Sequence, residues 1–342
     1  MFTFGTLGAA GITPAALLQP AAKHAGVAVT HIAARDRTRA EAFAANHDIP
    51  EVMDDYAAVI ASPVDAIYVP LPPSEHAAWT IAALRAGKHV LCEKPFALSA
   101  AEATEMVEAA KDADRVLVEA FHYRYHPLFA RVLEIVDSGV LGPLQELDAS
   151  FLVPVEDRSN FRWQPGRGDG ALMDLGCYPL HWVRTVTGEE PEILEAHAEA
   201  DAGGTDAAMS ARLSFPGGAS ARIHCDMQAD VHFEAALSVH GRDGTLRVLN
   251  PLAPHLGNKL TLETSGEKKT ESIPGQTTYT HQLEHFLAAC GGERDACPTS
   301  GLDSVENMRA IDAIYAAAGL PPRQHPPKDS TSGGIPAMER GS

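Results

Sequence analysis

A chain of 342 residues with 45 % hydrophobic content has material for two domains and a large buried core, which excludes a fibre or a disordered segment. Its formal net charge of −18 argues against nucleic acid as a partner, because phosphate backbones need clustered Lys and Arg. No apolar run is long enough for a bilayer span, no basic-then-apolar leader opens the chain, and five scattered cysteines form no CxxC pair, so a cytoplasmic protein with no membrane partner is expected.

Phe2 to Leu7 reads as an apolar strand, Gly8-Ala9-Ala10-Gly11-Ile12-Thr13-Pro14 as a turn of small residues, and the segment to about His24 as a helix. Thr13 suits its N-cap and Pro14 its first position. Strand, small turn and helix form the arrangement whose amides cradle a pyrophosphate, and they nominate Gly8, Ala10, Gly11 and Ile12. Ala10 and Thr13 stand where a full G-x-G-x-x-G has glycine, and an ordinary βα turn reads the same way. A second strand, Val27 to Ala34, runs into Arg35-Asp36-Arg37-Thr38-Arg39 and a helix to about Asn46. The residue past this strand faces the adenosine ribose, where an acid takes the 2′-hydroxyl and an arginine a 2′-phosphate. Arg35 and Arg39, out of character in an acidic chain, favour NADP(H). A shift of one residue puts Asp36 on the ribose and favours NAD(H).

Asp65 to Pro70 is another strand, and Pro70-Leu71-Pro72-Pro73 makes a rigid exit such as lines a ligand crevice. The helix from Ser74 to Ala86 carries His76 in its first turn, where it caps or packs rather than catalyses. His89 to Cys92 reads as a buried strand that ends in Glu93-Lys94-Pro95. A lysine at the carboxyl end of a parallel strand points into the crevice of an open sheet. Desolvated there, its pKa falls and it acts as a proton donor or an electrostatic anchor. Taken alone, Lys94 reads equally as a solvated loop lysine.

Ser99 starts a helix to about Lys111, with Glu102 completing a capping box, and Arg115 to Ala120 is the next strand. His122 and His126 are a metal pair only on a continuous helix, which Pro127 interrupts, and no third ligand stands by; no metal is expected. Alternation to about residue 125 implies an α/β unit with a doubly wound parallel sheet.

From Leu144 the pattern changes. Leu147 to Val153, Glu192 to Ala200, Ala207 to Phe215, Ala219 to Met227, Glu234 to His240 and Gly244 to Leu249 read as strands of a large, mostly antiparallel sheet. Ala171 to Val186, Tyr279 to Cys290 and Ser304 to Ala318 read as helices. The expected division is a nucleotide domain over 1–122, an α+β substrate and oligomerisation domain over 123–321, and an extended or disordered tail over 322–342.

Asp174 and Tyr178, four apart, share a helix face. A tyrosine beside a lysine is a workable proton donor to a carbonyl, since the cation favours the phenolate left behind. An aspartate nearby holds the lysine or a substrate hydroxyl. A core helix with locally satisfied polar groups fits the same spacing. His181 lies on the same side and contacts substrate or packs. The loop from Val153 to Gly170 brings Arg158, Asn160, Arg162, Trp163 and Asp169 as substrate candidates.

Together, Leu7-Gly8-Ala9-Ala10 with Ile12, Ala33-Ala34-Arg35-Asp36, Glu93-Lys94-Pro95, Glu119-Ala120-Phe121 with Arg124, and Gly170-Ala171-Leu172-Met173-Asp174-Leu175-Gly176-Cys177-Tyr178 resemble the glucose–fructose oxidoreductase/inositol dehydrogenase (Gfo/Idh/MocA) family over nearly the whole chain. Within it the chain is most similar to the dimeric dihydrodiol dehydrogenase and sugar dehydrogenase branch. The resemblance implies an NAD(P)-dependent oxidoreductase moving a hydride between nicotinamide and a carbinol carbon of a sugar or cyclic diol. Lys94 would be its catalytic lysine, Tyr178 its acid/base and Asp174 their partner in the site. Glu93 and Pro95 would shape the nicotinamide pocket, with Pro70, Leu71, His76 and Arg124 also on the cofactor side, while Arg162, Trp163 and His181 would meet substrate. It further implies a homodimer or homotetramer packed through the C-terminal sheet. Two positions depart from the branch: Asp169 interrupts a run of glycines, and Gly11 replaces an arginine and removes a phosphate contact. Two other readings stand beside it: an NAD-dependent glycosidase that oxidises its sugar transiently with the same residues, and a nucleotide-sensing regulatory protein with a dead site. An intact Lys94, Asp174 and Tyr178 speak against the regulator.

Overall fold

A computed structural model describes residues 1–323 and 325. The tail expected from residue 322 therefore lies, apart from Pro322, Arg323 and His325, outside the described residues. The first sheet has six parallel strands in the order β3-β2-β1-β4-β5-β6. They are β1 (Phe2–Leu7), β2 (Val27–Ala33), β3 (Glu51–Val52), β4 (Ala66–Val69), β5 (His89–Cys92) and β6 (Leu117–Glu119). That order reverses between β1 and β4, so the crevice at their carboxyl ends is the place for a ligand.

Each crossover is helical. A π-turn over Pro14–Leu18 runs into α1 (Gln19–Ala22), followed by α2 (Arg37–His47), α3 (Tyr56–Ala61), α4 (Pro73–Arg85) and α5 (Ala100–Asp112). Ser99 caps α5 as expected. Thr13 does not cap the first helix: its backbone is already helical, and its buried hydroxyl has no hydrogen-bond partner. α3 was not anticipated.

A 3-10 turn over His122–Tyr125 leads to α6 (Pro127–Asp137), where Pro127 opens a helix and does not break one. The second sheet has eight strands in the order β14-β13-β12-β11-β7-β10-β9-β8. They are β7 (Leu144–Leu152), β8 (Glu192–Ala200), β9 (Asp206–Ser214), β10 (Ser220–Asp226), β11 (Glu234–Gly241), β12 (Gly244–Leu249), β13 (Lys259–Thr264) and β14 (Glu267–Glu271). All its pairings are antiparallel except β7 with β10. Leu147, Ala149 and Phe151 of β7 face inward, and Glu146, Asp148 and Ser150 outward, the alternation of a sheet with one covered face. The cover is a π-turn over Leu172–Gly176 and α7 (Cys177–Thr187). Gly176 lets them sit close, since a Cβ there would lie 2.7 Å from Cys225 Sγ.

The last two helices return to the first half. Leu283 and Phe286 of α8 (Thr278–Cys290) join Phe4, Leu17, Tyr68 and Leu91 in one apolar cluster on a face of the first sheet. Thr299 then closes that sheet's edge: its carbonyl accepts from Glu119 N at 2.9 Å, and its hydroxyl donates to Glu119 O at 2.8 Å. α9 (Leu302–Ala317) packs on α5, where Asp312 accepts from Ala100 N at 2.9 Å. The five cysteines are unpaired. No described helix is long and apolar enough to cross a membrane.

Candidate active site

The phosphate end of the crevice is built from backbone. Gly8 follows β1 with φ +92°, a conformation that favours glycine, and a Cβ there would lie 3.2 Å from Leu71 Cδ2. Ala10 is half-buried, and Gly11 and Ile12 are exposed at the first helix start. Past β2, Asp36 is taken up as the α2 cap, its Oδ1 accepting from Arg39 N at 3.2 Å. Arg39 Nη2 reaches back to donate to Ala9 O at 3.3 Å, over the glycine turn. Arg35 is exposed, with Glu75 Oε1 3.9 Å away. The corner thus presents two guanidinium groups, and its acid caps a helix, which fits a phosphorylated ribose better than a bare one.

At the other end, Lys94 leaves β5 into the crevice. Its Nζ donates to Asp174 Oδ1 at 2.8 Å and to Asp174 O at 2.7 Å, and it lies 5.2 Å from the centre of the Tyr178 ring. Arg162 Nε pairs with the other Asp174 oxygen. The three groups come from the two halves of the chain and meet as expected. The spacing works differently from an α-helix: Asp174 sits within a π-turn, a feature common at functional sites.

Charge balance inside this cluster is decided by pairs. Burial opposes ionisation of Asp174, but Lys94 and Arg162 outweigh it and hold the carboxyl well below its ordinary range. Burial likewise pulls Lys94 down, yet Asp174 more than offsets it and the ammonium is strengthened. The expected fall in the lysine pKa is therefore corrected: the ion pair wins, and Lys94 is an anchor of fixed charge. Burial pushes the Tyr178 phenol well above its usual value. The Tyr178 hydroxyl lies 3.4 Å from His122 Nε2, and His122 Nδ1 lies 2.8 Å from Thr278 Oγ1. Burial, with help from Lys94, lowers His122 to about 3, so its ring is neutral and can accept from Tyr178. His126 instead accepts from Leu128 N, so the two histidines serve separate partners.

Other candidates fall into place around this core. Glu93 is buried and accepts from Tyr68 OH at 2.7 Å; burial raises its pKa against that bond. Pro70 and Pro95 are buried walls, and Leu71 is half-buried beside Gly8. Trp163 is buried, donates to Val155 O at 3.2 Å, and carries the Arg158 guanidinium 3.7 Å from its ring centre. Four expectations are corrected. His76 is fully buried, with Leu71 O 2.7 Å from Nε2 and Pro95 O 3.0 Å from Nδ1; its neutral ring donates to one of these carbonyls, and both nitrogens face the scaffold and not the crevice. Burial, the larger effect, pushes its pKa down to about 4, while the two carbonyls pull the other way. His181 is buried, with its nitrogens held by Tyr123 OH at 2.7 Å and Asp303 Oδ2 at 2.9 Å, leaving none for substrate. Arg124 lies over the Phe129 ring at 5.8 Å and near Asp303, on the second half's side. Asp169 is buried against Thr205 and Arg323. Two residues were missed. His122 was weighed only as a metal ligand. Tyr279 packs against His122 with ring centres 4.2 Å apart and planes tilted by 40°; nothing local to its sequence distinguishes it from a helix-face aromatic.

The chain is similar to known proteins over nearly its whole length. Residues 2–121 match the model of the oxidoreductase family with an NAD-binding Rossmann fold, and residues 129–247 match the GFO/IDH/MocA C-terminal domain. The D-xylose 1-dehydrogenase (NADP(+)) 2 of Haloferax volcanii is 35 % identical over 321 residues, 92 % of this chain and 97 % of that protein. The trans-1,2-dihydrobenzene-1,2-diol dehydrogenase of Sus scrofa is 33 % identical over 237 residues, 68 % of this chain and 69 % of that one. A 3-ketoreductase from Actinomadura kijaniata, crystallised with NADP and TDP-benzene, superposes with a TM-score of 0.84 at 26 % identity, covering 92 % of this chain and 97 % of its own.

Proposed function

The chain belongs to the GFO/IDH/MocA family of oxidoreductases, and on that premise we propose that it oxidises a free pentose or hexose at a ring carbinol carbon with NADP, using Lys94, Asp174 and Tyr178 as catalytic residues. The observation that carries this reading is the ion pair from Lys94 to Asp174, which crosses between the halves of the chain beneath the Tyr178 ring. The sugar is supported by the Haloferax volcanii relative, and NADP by Arg35 and Arg39 at the ribose corner.

Gly8 and the first helix start would hold the pyrophosphate, and Arg35 and Arg39 would take the 2′-phosphate. When bound, the nicotinamide supplies the hydride acceptor. Glu93 and Pro95, both buried, would wall its ring, and the crevice would keep water from the reacting carbon. Arg162 and Lys94 fix Asp174, which in turn orients the sugar hydroxyl. Tyr178 takes the hydroxyl proton in oxidation and returns it in reduction. Burial favours its neutral phenol, so oxidation requires ionisation, assisted by the Lys94 charge and the acceptor nitrogen of His122.

The test is a panel of pentoses, hexoses and cyclic diols with NAD and NADP in parallel, followed by reduced-nicotinamide absorbance. Net NADPH formation on a free sugar is expected. A panel in which no sugar reduces either nucleotide, or in which glycosides are cleaved with no net reduction, would displace the proposal. The open face of the second sheet, which carries the pairs of Arg222 with Glu146 at 3.0 Å and Asp148 at 2.8 Å and of Arg212 with Glu195 at 3.0 Å, is the face proposed for assembly into dimers or tetramers. Light scattering of Arg222→Glu beside the native chain tests that assembly, with a shift toward monomer expected.

A further inference from the structure

Away from the reaction centre, one buried cluster joins three segments distant in sequence. After α9 the chain turns back and Arg323 enters between Asp169, Asp206 and Tyr315. Its Nη2 pairs with Asp206 Oδ1, its Nη1 lies 3.7 Å from Asp169 Oδ2, and its guanidinium carbon lies 4.4 Å from the Tyr315 ring centre. Asp169 and Asp206 are 1 % and 0 % exposed. Two such carboxylates need a cation, because an unpaired buried charge is strongly destabilising. Even beside Arg323, burial pushes Asp206 up to about 6.

Both acids also grip the main chain. Asp206 Oδ2 accepts from Leu172 N at 2.7 Å, and Asp169 Oδ1 accepts from Gly166 N at 3.0 Å. Thr205 Oγ1 donates to Asp169 Oδ2 at 2.7 Å, and Tyr315 OH donates to Asp206 Oδ1 at 3.1 Å. Leu172 opens the π-turn that holds Asp174. Gly170 N donates to Arg162 O at 3.1 Å, and a Cβ on Gly170 would lie 1.9 Å from Asp206 Oδ1. The charge cluster is thus pressed against the backbone that carries Arg162 and Asp174. On its other side, a Cβ on Gly168 would lie 2.4 Å from Pro73 Cβ, so the same turn abuts the mouth of the first half.

We propose that this carboxyl-terminal return is a clasp, in which Arg323 bridges Asp169 and Asp206 and so fixes the turn over residues 166–172 that sets Arg162 and Asp174 against Lys94. Arg323 is a positioning residue; the inference rests on the role given above to Asp174. It also accounts for Asp169, which departs from the branch's run of glycines: it is an anchor for Arg323 and not a substrate contact.

The test compares Arg323→Ala and Arg323→Lys with the native enzyme in three readouts: kcat on the sugar of the panel, NADPH affinity by fluorescence, and hydrogen exchange of the segment 164–173. Arg323→Ala is expected to lower kcat roughly 10–100-fold, as a displacement of about 1 Å at a reacting group does. NADPH affinity should hold, exchange in that segment should rise, and guanidinium below denaturing concentration should restore part of kcat. Arg323→Lys, which keeps charge without the fork, should fall between. Unchanged exchange and unchanged kcat in Arg323→Ala overturn the clasp. Faster exchange with unchanged kcat overturns the positioning role and leaves Arg323 a local stabiliser, whereas native kcat in Asp174→Asn would instead overturn the role given to Asp174. Should Arg323→Ala not fold, Asp169→Asn, which keeps the Arg323–Asp206 pair, decides by the same readouts: faster exchange with a few-fold lower kcat supports the clasp, and no change in either overturns it.

Discussion

The two ends of the crevice are made of different materials. At the end proposed for the phosphates, the crevice offers backbone around Gly8 and two arginines at the protein surface. At the reaction end it uses buried side chains, with Lys94 and Asp174 only 14 % and 8 % exposed. Exposed charges are screened by salt and exchange partners easily. Buried ones depend on each other, because removing one leaves its partner unpaired and desolvated. The exposed end should therefore bend under substitution, changing nucleotide choice by degrees, while the buried end should break.

The sharpest way to break the comparison is at Tyr178 and Lys94. Tyr178→Phe and Lys94→Ala should each lower kcat by roughly 10²–10⁴-fold. NADPH affinity, read by fluorescence titration, should stay near native for Tyr178→Phe. Normal turnover in both variants would remove the assignment of the reaction end. At the exposed end, Arg39→Ala should weaken NADP binding by about 10–100-fold, the worth of a charge-assisted hydrogen bond, and leave NAD binding unchanged. Raising the salt should narrow the gap between the two nucleotides in the native enzyme, because both guanidinium groups face solvent. Equal losses for NAD and NADP in Arg39→Ala would place its role in the glycine turn and not at the 2′-phosphate.

Smaller effects follow from proton balance. With Tyr178 raised above its ordinary value, the base form is scarce at neutral pH, so the oxidation rate should climb as pH rises while sugar-ketone reduction should fall. Initial rates in both directions across one buffer series check the sign. The folded state also keeps His122 neutral, with its pKa lowered from 6.5 to about 3. Below pH 6.5 the unfolded chain binds a proton that the folded chain refuses, so stability is lost as pH falls through the window from 6.5 to about 3. Thermal melts at successive pH values should show a falling midpoint there, and His122→Phe should flatten the slope.

Elements whose burial follows a local period were readable. β1, β5, β8 and β12 lie where the alternation or the apolar run put them, and Glu93-Lys94-Pro95 marked the crevice. β14 was not readable, because Glu267-Lys268-Lys269-Thr270-Glu271 has no apolar residue and exists only by pairing with β13. β3 spans two residues, too few for any pattern. α6 was legible in principle: Leu128, Phe129, Val132 and Ile135 make an apolar stripe, and Pro127 was taken as a breaker when it fills the first position. At the site, residue identity marked Lys94, Asp174 and Tyr178. What hid His76, His181 and Asp169 was direction, since a polar residue near a crevice is satisfied as readily by the scaffold behind it as by a ligand before it. That choice is settled by partners far along the chain, such as Asp303 and Arg323.

The docking of α8 on the first sheet bears on how the molecule is made. Phe4 and Tyr68 emerge early from the ribosome, whereas Leu283 and Phe286, which cover them, come near the end. Until then the nascent nucleotide-binding half carries a bare oily flank and an unsealed β6 margin. A fragment ending after residue 126 should accordingly bind a hydrophobic dye and precipitate on its own, and regain solubility when the segment 277–318 is supplied in trans.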